Sequence, residues 1–394
     1  MSADIPGIRR FEAVLLTALF VILISLPFFK QVISAEPDTE AVEGRLPNTR
    51  PKISLNKGLH DFPTNFESYY NDHFGFRSAL LRIGGYIGVK YANVSLSPDV
   101  IIGKEGWLFL RSGQTLENYR GGPVFNNVDL ELWKRSLERR QQWLAQRGIK
   151  FLFVVAPDKQ TVYREFMPDK YSRLHDPSPA QQLVDYLNAH SSVNVLPLLG
   201  PLVKAKASGG ERLYFRHDTH WNTMGAYVGY HEIIERLHEW FPDLKPKERS
   251  EFQVVMDYRK GDLARMIGMP DYSAGNEPTL IPLVAIKTSS TPLKVEGTDL
   301  PARWNFITQA PDIANKTKVV MIHDSYTWLL SPFLSADLSQ ITYLFRFQDD
   351  EKFEKILAKV VQMEKPDVFI EERVERYLLV PPPDEKIIFG GNDH

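Results

Sequence analysis

Hydrophobic positions along this chain fall into two kinds of run. Near the N-terminus, Ala13–Phe29 is apolar for 17 residues, carries no charge and has no polar face. Such a stretch, with its flanks, sits at the short end of what crosses a bilayer as a helix. Farther on, short continuous apolar runs alternate with amphipathic stretches of helical period. Phe66–Tyr70 and Ser78–Val89 predict helices, and Val100–Leu110 predicts a hairpin that turns at Gly103-Lys-Glu-Gly106. Asp129–Arg147 predicts an amphipathic helix that leads through Gly148 into a strand at Ile149–Ala156. Helices follow at Ser178–His190, Thr223–Trp240 (capped by Asn222) and Phe353–Met363. Strands follow at Val193–Leu198, Val319–Ile322 and Val368–Ile370. This alternation predicts an α/β fold with a mainly parallel, layered sheet.

The same pattern sets the expected divisions. Residues 1–33 read as a membrane anchor. Arg9-Arg10 precedes the apolar run, a positive flank that favours an N-terminus on the cytoplasmic side. A cleaved signal peptide is the competing reading, but Ile33-Ser34-Ala35 is a poor cleavage stretch. Either way the bulk of the chain is exported. Residues 34–59 read as a linker, with Pro37, Pro47 and Pro51 and an acidic patch followed by a basic one. Residues 60–380 read as the globular domain, and 270–317, irregular and rich in Pro, Thr and Ser, as an insertion or small subdomain. The tail 381–394 opens with Pro381-Pro-Pro383 and reads as extended and poorly ordered.

Composition removes some chemistries. The 394 residues suffice for a large core, and 47 Lys+Arg against 49 Asp+Glu gives no reason to expect a nucleic-acid partner. The chain has no cysteine, so thiol catalysis, disulfides and cysteine-type zinc sites are excluded. There is no P-loop and no dinucleotide fingerprint.

Two polar motifs remain. Asp218-Thr219-His220 precedes the helix capped by Asn222, and Ser325 lies just beyond the apolar run Val319–Ile322. Together they supply nucleophile, base and orienting acid for a serine triad. In extended backbone Asp218 and His220 would project to one face and Thr219 to the other. A helix starting at Tyr326 would aim backbone N–H groups at a developing oxyanion. Three alternatives stand beside this reading. Asp218-Thr-His220 is a polar turn before a helix, Asp324 or Ser325 is a helix cap, or His217, Asp218, His220, His323 and Asp324 form a metal cluster. Trp107, Tyr163, Trp221 and Tyr326 are candidates for stacking on a sugar, as is Trp328, and Arg216 and Arg265 for meeting an anionic one; burial in the core is the alternative for most of the rings, and an ordinary surface ion pair for the arginines. Lys159 completes the set of candidate binding residues.

Four stretches in this order resemble the alginate O-acetyltransferase AlgX/AlgJ family. They are Gly103-Lys-Glu-Gly-Trp-Leu-Phe109, Ala156-Pro-Asp-Lys-Gln-Thr-Val-Tyr163, Asp218-Thr-His-Trp-Asn222 and His323-Asp-Ser-Tyr326, and the likeness extends over about residues 60–376. The resemblance implies an SGNH-hydrolase-like three-layer sandwich. Ordinary GDSL-type hydrolases place the serine first. The order here is permuted, as in this family, whose catalytic Asp, His and Ser fall on Asp218, His220 and Ser325. With its anchor and no room for a large C-terminal carbohydrate-binding module, the layout is closer to AlgJ members. The resemblance further implies a periplasmic, inner-membrane-anchored enzyme without cofactor or metal. It would take acetyl from a membrane-bound O-acyltransferase and pass it to an exopolysaccharide beside the export machinery. An O-acetylesterase with the same triad, or a non-catalytic polysaccharide-binding protein, remains open at this point.

Overall fold

Continuous apolar runs place most of the central strands. A computed structural model describes residues 6–33, 47–52, 61–272, 275–346 and 351–382. The expected linker and tail lie largely outside the described residues. In chain order the helices and strands begin with α1 (Pro6–Ile33), α2 (Phe62–Asp72), α3 (Arg77–Ile87), β1 (Val100–Ile102) and β2 (Leu108–Leu110). Next come α4 (Thr115–Arg120), α5 (Asn127–Ala145), β3 (Lys150–Ala156), α6 (Lys159–Val162), α7 (Pro179–His190), β4 (Val195–Pro197) and α8 (Leu199–Ala207). Then follow α9 (Thr223–His238), β5 (Phe252–Arg259), α10 (Asp262–Met266), β6 (Gly275–Pro282), β7 (Ser289–Pro292) and β8 (Phe306–Gln309). The last are β9 (Lys318–His323), α11 (Thr327–Leu334), β10 (Gln340–Phe345), α12 (Glu351–Glu364) and β11 (Val368–Val374).

Contacts divide the chain into two compact units. One comprises Met1–Val100 with Lys260–Ala274, and the other Ile101–Arg259 with Gly275–His394. The expected domain of residues 60–380 is thus divided, its first forty or so residues grouping with the N-terminal helix. In the first unit, Phe11–Ile33 of α1 is apolar and long enough to span a bilayer, with its described side chains facing outward.

The second unit is built on a seven-stranded sheet in the order β4-β3-β11-β9-β10-β8-β7. The first five strands run parallel, and β8 and β7 are antiparallel to their neighbours. The sheet is therefore mixed, with the expected parallel part at its centre. Side chains alternate between its faces: Leu152, Val154, Val319 and Met321 enter one core, while Phe151, Phe153, Val320 and Ile322 enter the other. Helices α8, α9 and α11 cover the first face, and α5, α7 and α12 the second. This is the three-layer SGNH-hydrolase-like sandwich.

Two features depart from the sequence reading. Residues 270–317 supply β7 and β8, so part of the expected insertion is the edge of the main sheet. Strand β11 runs on to Val374, through Glu371-Glu-Arg373 in the sheet centre. Buried charge there requires partners. Glu371 accepts from Arg346 at 2.7 Å, from Arg373 at 2.8 Å and from Arg140. Burial alone would raise the Glu371 pKa, but Arg140, Arg346 and Arg373 hold it well below the carboxylate range.

Candidate functional site

Strand β9 lies between β11 and β10, and its carboxyl end is the crevice where open parallel sheets place reactive groups. The chain leaves β9 at His323 and turns through Asp324-Ser325-Tyr326 into α11. Asp324 makes that turn. Its Oδ1 accepts from the Tyr326 N–H at 2.9 Å and its Oδ2 from the Val374 N–H at 2.7 Å. Behind it, Glu372 Oε2 accepts from the Asp324 N–H at 3.2 Å and the Thr327 hydroxyl at 3.1 Å. The turn is thus fastened on both sides of Ser325 to the central strand β11. Burial, and then the neighbouring Asp324, raises the Glu372 pKa well above its ordinary value. A neutral Glu372 would avoid placing a second uncompensated charge against Asp324. Neither Asp324 nor Ser325 is the cap residue of α11, which is Tyr326 without a side-chain cap bond; Asp324 instead closes the turn before it.

The Ser325 side chain meets His220. Ser325 Oγ lies 2.9 Å from His220 Nε2, and His220 Nδ1 lies 2.7 Å from Asp218 Oδ1. An aspartate carboxylate only accepts, so Nδ1 carries the proton and Nε2 is left to accept from the serine hydroxyl. Asp218 and His220 do not share a face of extended backbone as the spacing suggested. Residues 216–220 form a bend, and Asp218 Oδ1 also accepts the backbone N–H of His220 at 2.9 Å. This side-chain turn over two residues brings carboxylate and imidazole together. The polar turn and the acid–base pair are one object.

The other motif stretches hold that turn. Lys159, buried at the start of α6, donates from Nζ to the carbonyls of Asp218 (2.6 Å), Phe215 (3.1 Å) and Arg216 (3.2 Å). Its ammonium also lies over the rings of Phe109 and Trp107, at 5.2 and 5.8 Å. Trp107 stacks on Tyr163 at 4.7 Å, and the Tyr163 hydroxyl accepts from the Leu213 N–H at 2.9 Å. Trp221 Nε1 donates to the Tyr326 carbonyl at 3.0 Å, and the Tyr326 hydroxyl donates to the Thr219 carbonyl at 3.2 Å. Those two bonds tie the histidine turn to the serine turn.

The candidates for sugar contact need correction accordingly. Trp107, Lys159, Tyr163, Trp221 and Tyr326 are all buried and consumed by these contacts. Buried rings cannot stack on a sugar; these five hold the Asp218–His220 turn and the Ser325 turn from behind. Arg216 stays partly exposed with a guanidinium N–H on the Glu105 carbonyl, and Arg265 belongs to α10 in the first unit. Two members of the metal alternative, His323 and Asp324, are committed elsewhere. His323 Nδ1 lies 2.9 Å from the Asp324 carbonyl and Nε2 2.9 Å from the Trp304 carbonyl, and both Asp324 carboxylate oxygens are engaged by N–H groups. Burial lowers the His323 pKa.

An exposed aromatic surface lies beside the serine turn. A pocket of about 410 Å³ is lined by Asp324, Thr327 and Trp328 together with Arg303, Trp304 and Phe306. Trp328 is 52% exposed, and the Arg303 guanidinium lies 5.3 Å from its ring and 5.0 Å from that of Trp304. Arg303 and Trp304 went unnoticed in the sequence because they sit in the irregular stretch before β8, with no periodicity to give them a face.

With that geometry in place, comparison with known proteins adds the family. A family model described as an SGNH hydrolase-like domain, acetyltransferase AlgX, matches residues 100–298, just over half of the 394. The chain belongs to this family. Asp218 and His220 lie inside the matched span and Ser325 beyond it. Among the relatives, a protein named "Probable alginate O-acetylase AlgJ" from Pseudomonas fluorescens is 23% identical over 264 residues, covering 61% of this chain and 63% of its own length. This chain thus spans less than two thirds of that relative. Its namesake from Pseudomonas aeruginosa is 29% identical over 164 residues, covering 41% of this chain and 38% of its own. The fold is similar to that of Bacillus cereus PatB1, solved with a sulfonyl adduct, at a TM-score of 0.53 and 14% identity over 71% of this chain and 94% of that one.

Proposed function

We propose that this protein is a polysaccharide O-acetyltransferase that carries acetyl on Ser325. The observation that carries the reading is the series Asp218 Oδ1, His220, Ser325 Oγ at 2.7 and 2.9 Å. In the first half-reaction Ser325 Oγ attacks the carbonyl carbon of an acetyl donor while its proton passes to His220 Nε2. Asp218 stabilises the imidazolium that results. The tetrahedral intermediate collapses, His220 returns the proton to the leaving group, and Ser325 is left as an acetyl ester. In the second half a sugar hydroxyl gives its proton to His220 and attacks that ester. Collapse releases the acetylated sugar, and Ser325 takes the proton back.

The oxyanion donors are narrower than the start of a helix suggested. The Tyr326 N–H is committed to Asp324, and the Trp328 N–H points to the Ser325 carbonyl at 3.3 Å. That leaves the Ser325 N–H as the backbone donor in this turn best placed for the oxyanion. Trp328, half exposed, with Arg303 and Trp304 beside it, offers the stacking face for a sugar ring that the buried candidates do not. The names of the AlgJ relatives favour alginate or a related exopolysaccharide as acceptor; a membrane-bound O-acyltransferase as the source of acetyl is part of the same proposal. Arg9-Arg10 before the apolar helix supports an anchor in the inner membrane with the second unit in the periplasm.

The test supplies the protein with an activated acetyl ester and a panel of oligosaccharides, including oligouronates, and detects acetylated sugar by mass spectrometry. Wild type should form it, and Ser325→Ala should not while keeping its thermal midpoint. Free acetate alone, dependent on Ser325, would make the protein an esterase instead.

A further inference from the structure

Helix α3 is built inside out. Its inward side carries glycines: a Cβ on Gly85 would lie 2.3 Å from the Ile267 carbonyl oxygen and 2.8 Å from Met269 Cγ. Its outward side carries Leu80, Ile83, Tyr86 and Ile87, and the stripe continues to Tyr91. Ile83 is 57% exposed and Tyr91 72%. A helix that buries glycine and exposes leucine, isoleucine and tyrosine on successive turns is not satisfied by water.

The neighbouring chain says what covers it. In the same unit, Gly75, two residues before α3, sits against α1 so closely that a Cβ there would lie 2.1 Å from the Pro27 carbonyl oxygen and 2.9 Å from Lys30 Cβ. The apolar stretch Phe11–Ile33 is about 35 Å long at helical rise, against a hydrocarbon core of about 30 Å. Lys30 is the first charge after the uncharged run Ala13–Phe29 within it, and a lysine near a helix end marks the headgroup boundary. Helix α3 therefore starts where α1 leaves the membrane. Tyrosines with an adjacent cation suit that depth, and Lys90 lies 5.0 Å from the Tyr86 ring and 5.7 Å from the Tyr91 ring.

We propose that the Leu80–Ile83–Ile87–Tyr91 stripe lies in the surface of the lipid bilayer, as an interfacial helix beside the spanning one. The inference rests on the reading of α1 as a membrane span. Its consequence is that the first unit is held to the membrane by a plane as well as by a single helix, which restricts its tilt.

The absence of cysteine from the chain allows single-site labels in the full-length protein. Ile83→Cys, Tyr91→Cys, Leu19→Cys in α1 and Leu174→Cys, exposed in the second unit, would each carry an environment-sensitive fluorophore. The protein is reconstituted in phosphatidylethanolamine–phosphatidylglycerol vesicles and quenched either by doxyl-labelled lipid or by aqueous iodide. The expected result is several-fold stronger doxyl quenching, and weaker iodide quenching, at positions 83 and 91 than at 174. Iodide access at 83 equal to that at 174 would overturn the proposal. Shielding of 83 from both quenchers would also overturn it, since a protein surface would then be the cover. Doxyl quenching at 19 without quenching at 83 would remove the interfacial helix alone, and its absence at 19 would remove the spanning reading with it.

Discussion

Lys159 is where a residue's apparent role and its actual one diverge most. A lysine between two aromatic motifs reads as a contact for substrate, yet its ammonium donates to the carbonyls of Phe215, Arg216 and Asp218. Lys159→Met keeps the volume and removes the donors, leaving carbonyls with one partner fewer at about 1–3 kcal/mol for each that stays buried. The expected outcome is a lower thermal midpoint together with a loss of turnover, because the Asp218–His220 turn loosens. Unchanged turnover in a folded protein would contradict the assignment. His217, on the same turn, reports its surroundings through pH. Burial, then Lys159 and Arg216, lowers its pKa from 6.5 to about 4. The unfolded chain takes up this proton first, so the stability is whole above about pH 6.5 and is lost as pH falls toward about 4. His217→Gln should therefore flatten the fall of the thermal midpoint across that window, and an unchanged slope would count against it. The three triad residues were legible because each chemistry-bearing type stands in a short polar motif. Burial of most of the aromatics was expected, but that Trp107, Trp221 and Tyr326 are buried and Trp328 exposed was not legible, since a ring looks the same in sequence whether it faces sugar or core.

Elements decide whether those residues meet. Helix α9 begins at Thr223, with Asn222 Oδ1 accepting from the Met224 and Gly225 N–H groups, so the histidine turn is continuous with a well-capped helix. Gly225 lets that first turn close on the segment before it: a Cβ there would lie 2.3 Å from the Leu213 carbonyl oxygen. Helix propensity alone favours Gly225→Ala by about 1 kcal/mol. The contact predicts the opposite sign, a less stable protein with slower transfer, which thermal unfolding and initial rates would read. A stabilised, fully active Gly225→Ala would show that the close approach is unimportant. The Asn222 cap could be foreseen from a short polar residue before a periodic run. Strand β11 past Ile370 could not, because Glu371-Glu-Arg373 become strand residues only once Arg140, Arg346 and Asp324 arrive from elsewhere in the chain.

At the scale of the whole molecule, alternating helices and apolar strands were enough to anticipate a layered α/β sheet, because parallel strands buried on both faces are continuously hydrophobic. The antiparallel edge was invisible for the converse reason. Ser289–Pro292 has four exposed residues and no apolar signal, and it is a strand only because β8 pairs with it. The same long-range pairing carries β9, and with it Ser325, to the centre of the sheet, where the histidine turn reaches it from more than a hundred residues away. The central claim is that this convergence makes Ser325 an acetyl carrier. Peptide mass mapping of the protein quenched in acid during turnover with an activated acetyl ester tests it most directly. The account predicts one acetyl group on Ser325, discharged when an acceptor oligosaccharide is added and absent from the His220→Ala variant. Transfer to the sugar with Ser325 never acetylated would contradict it.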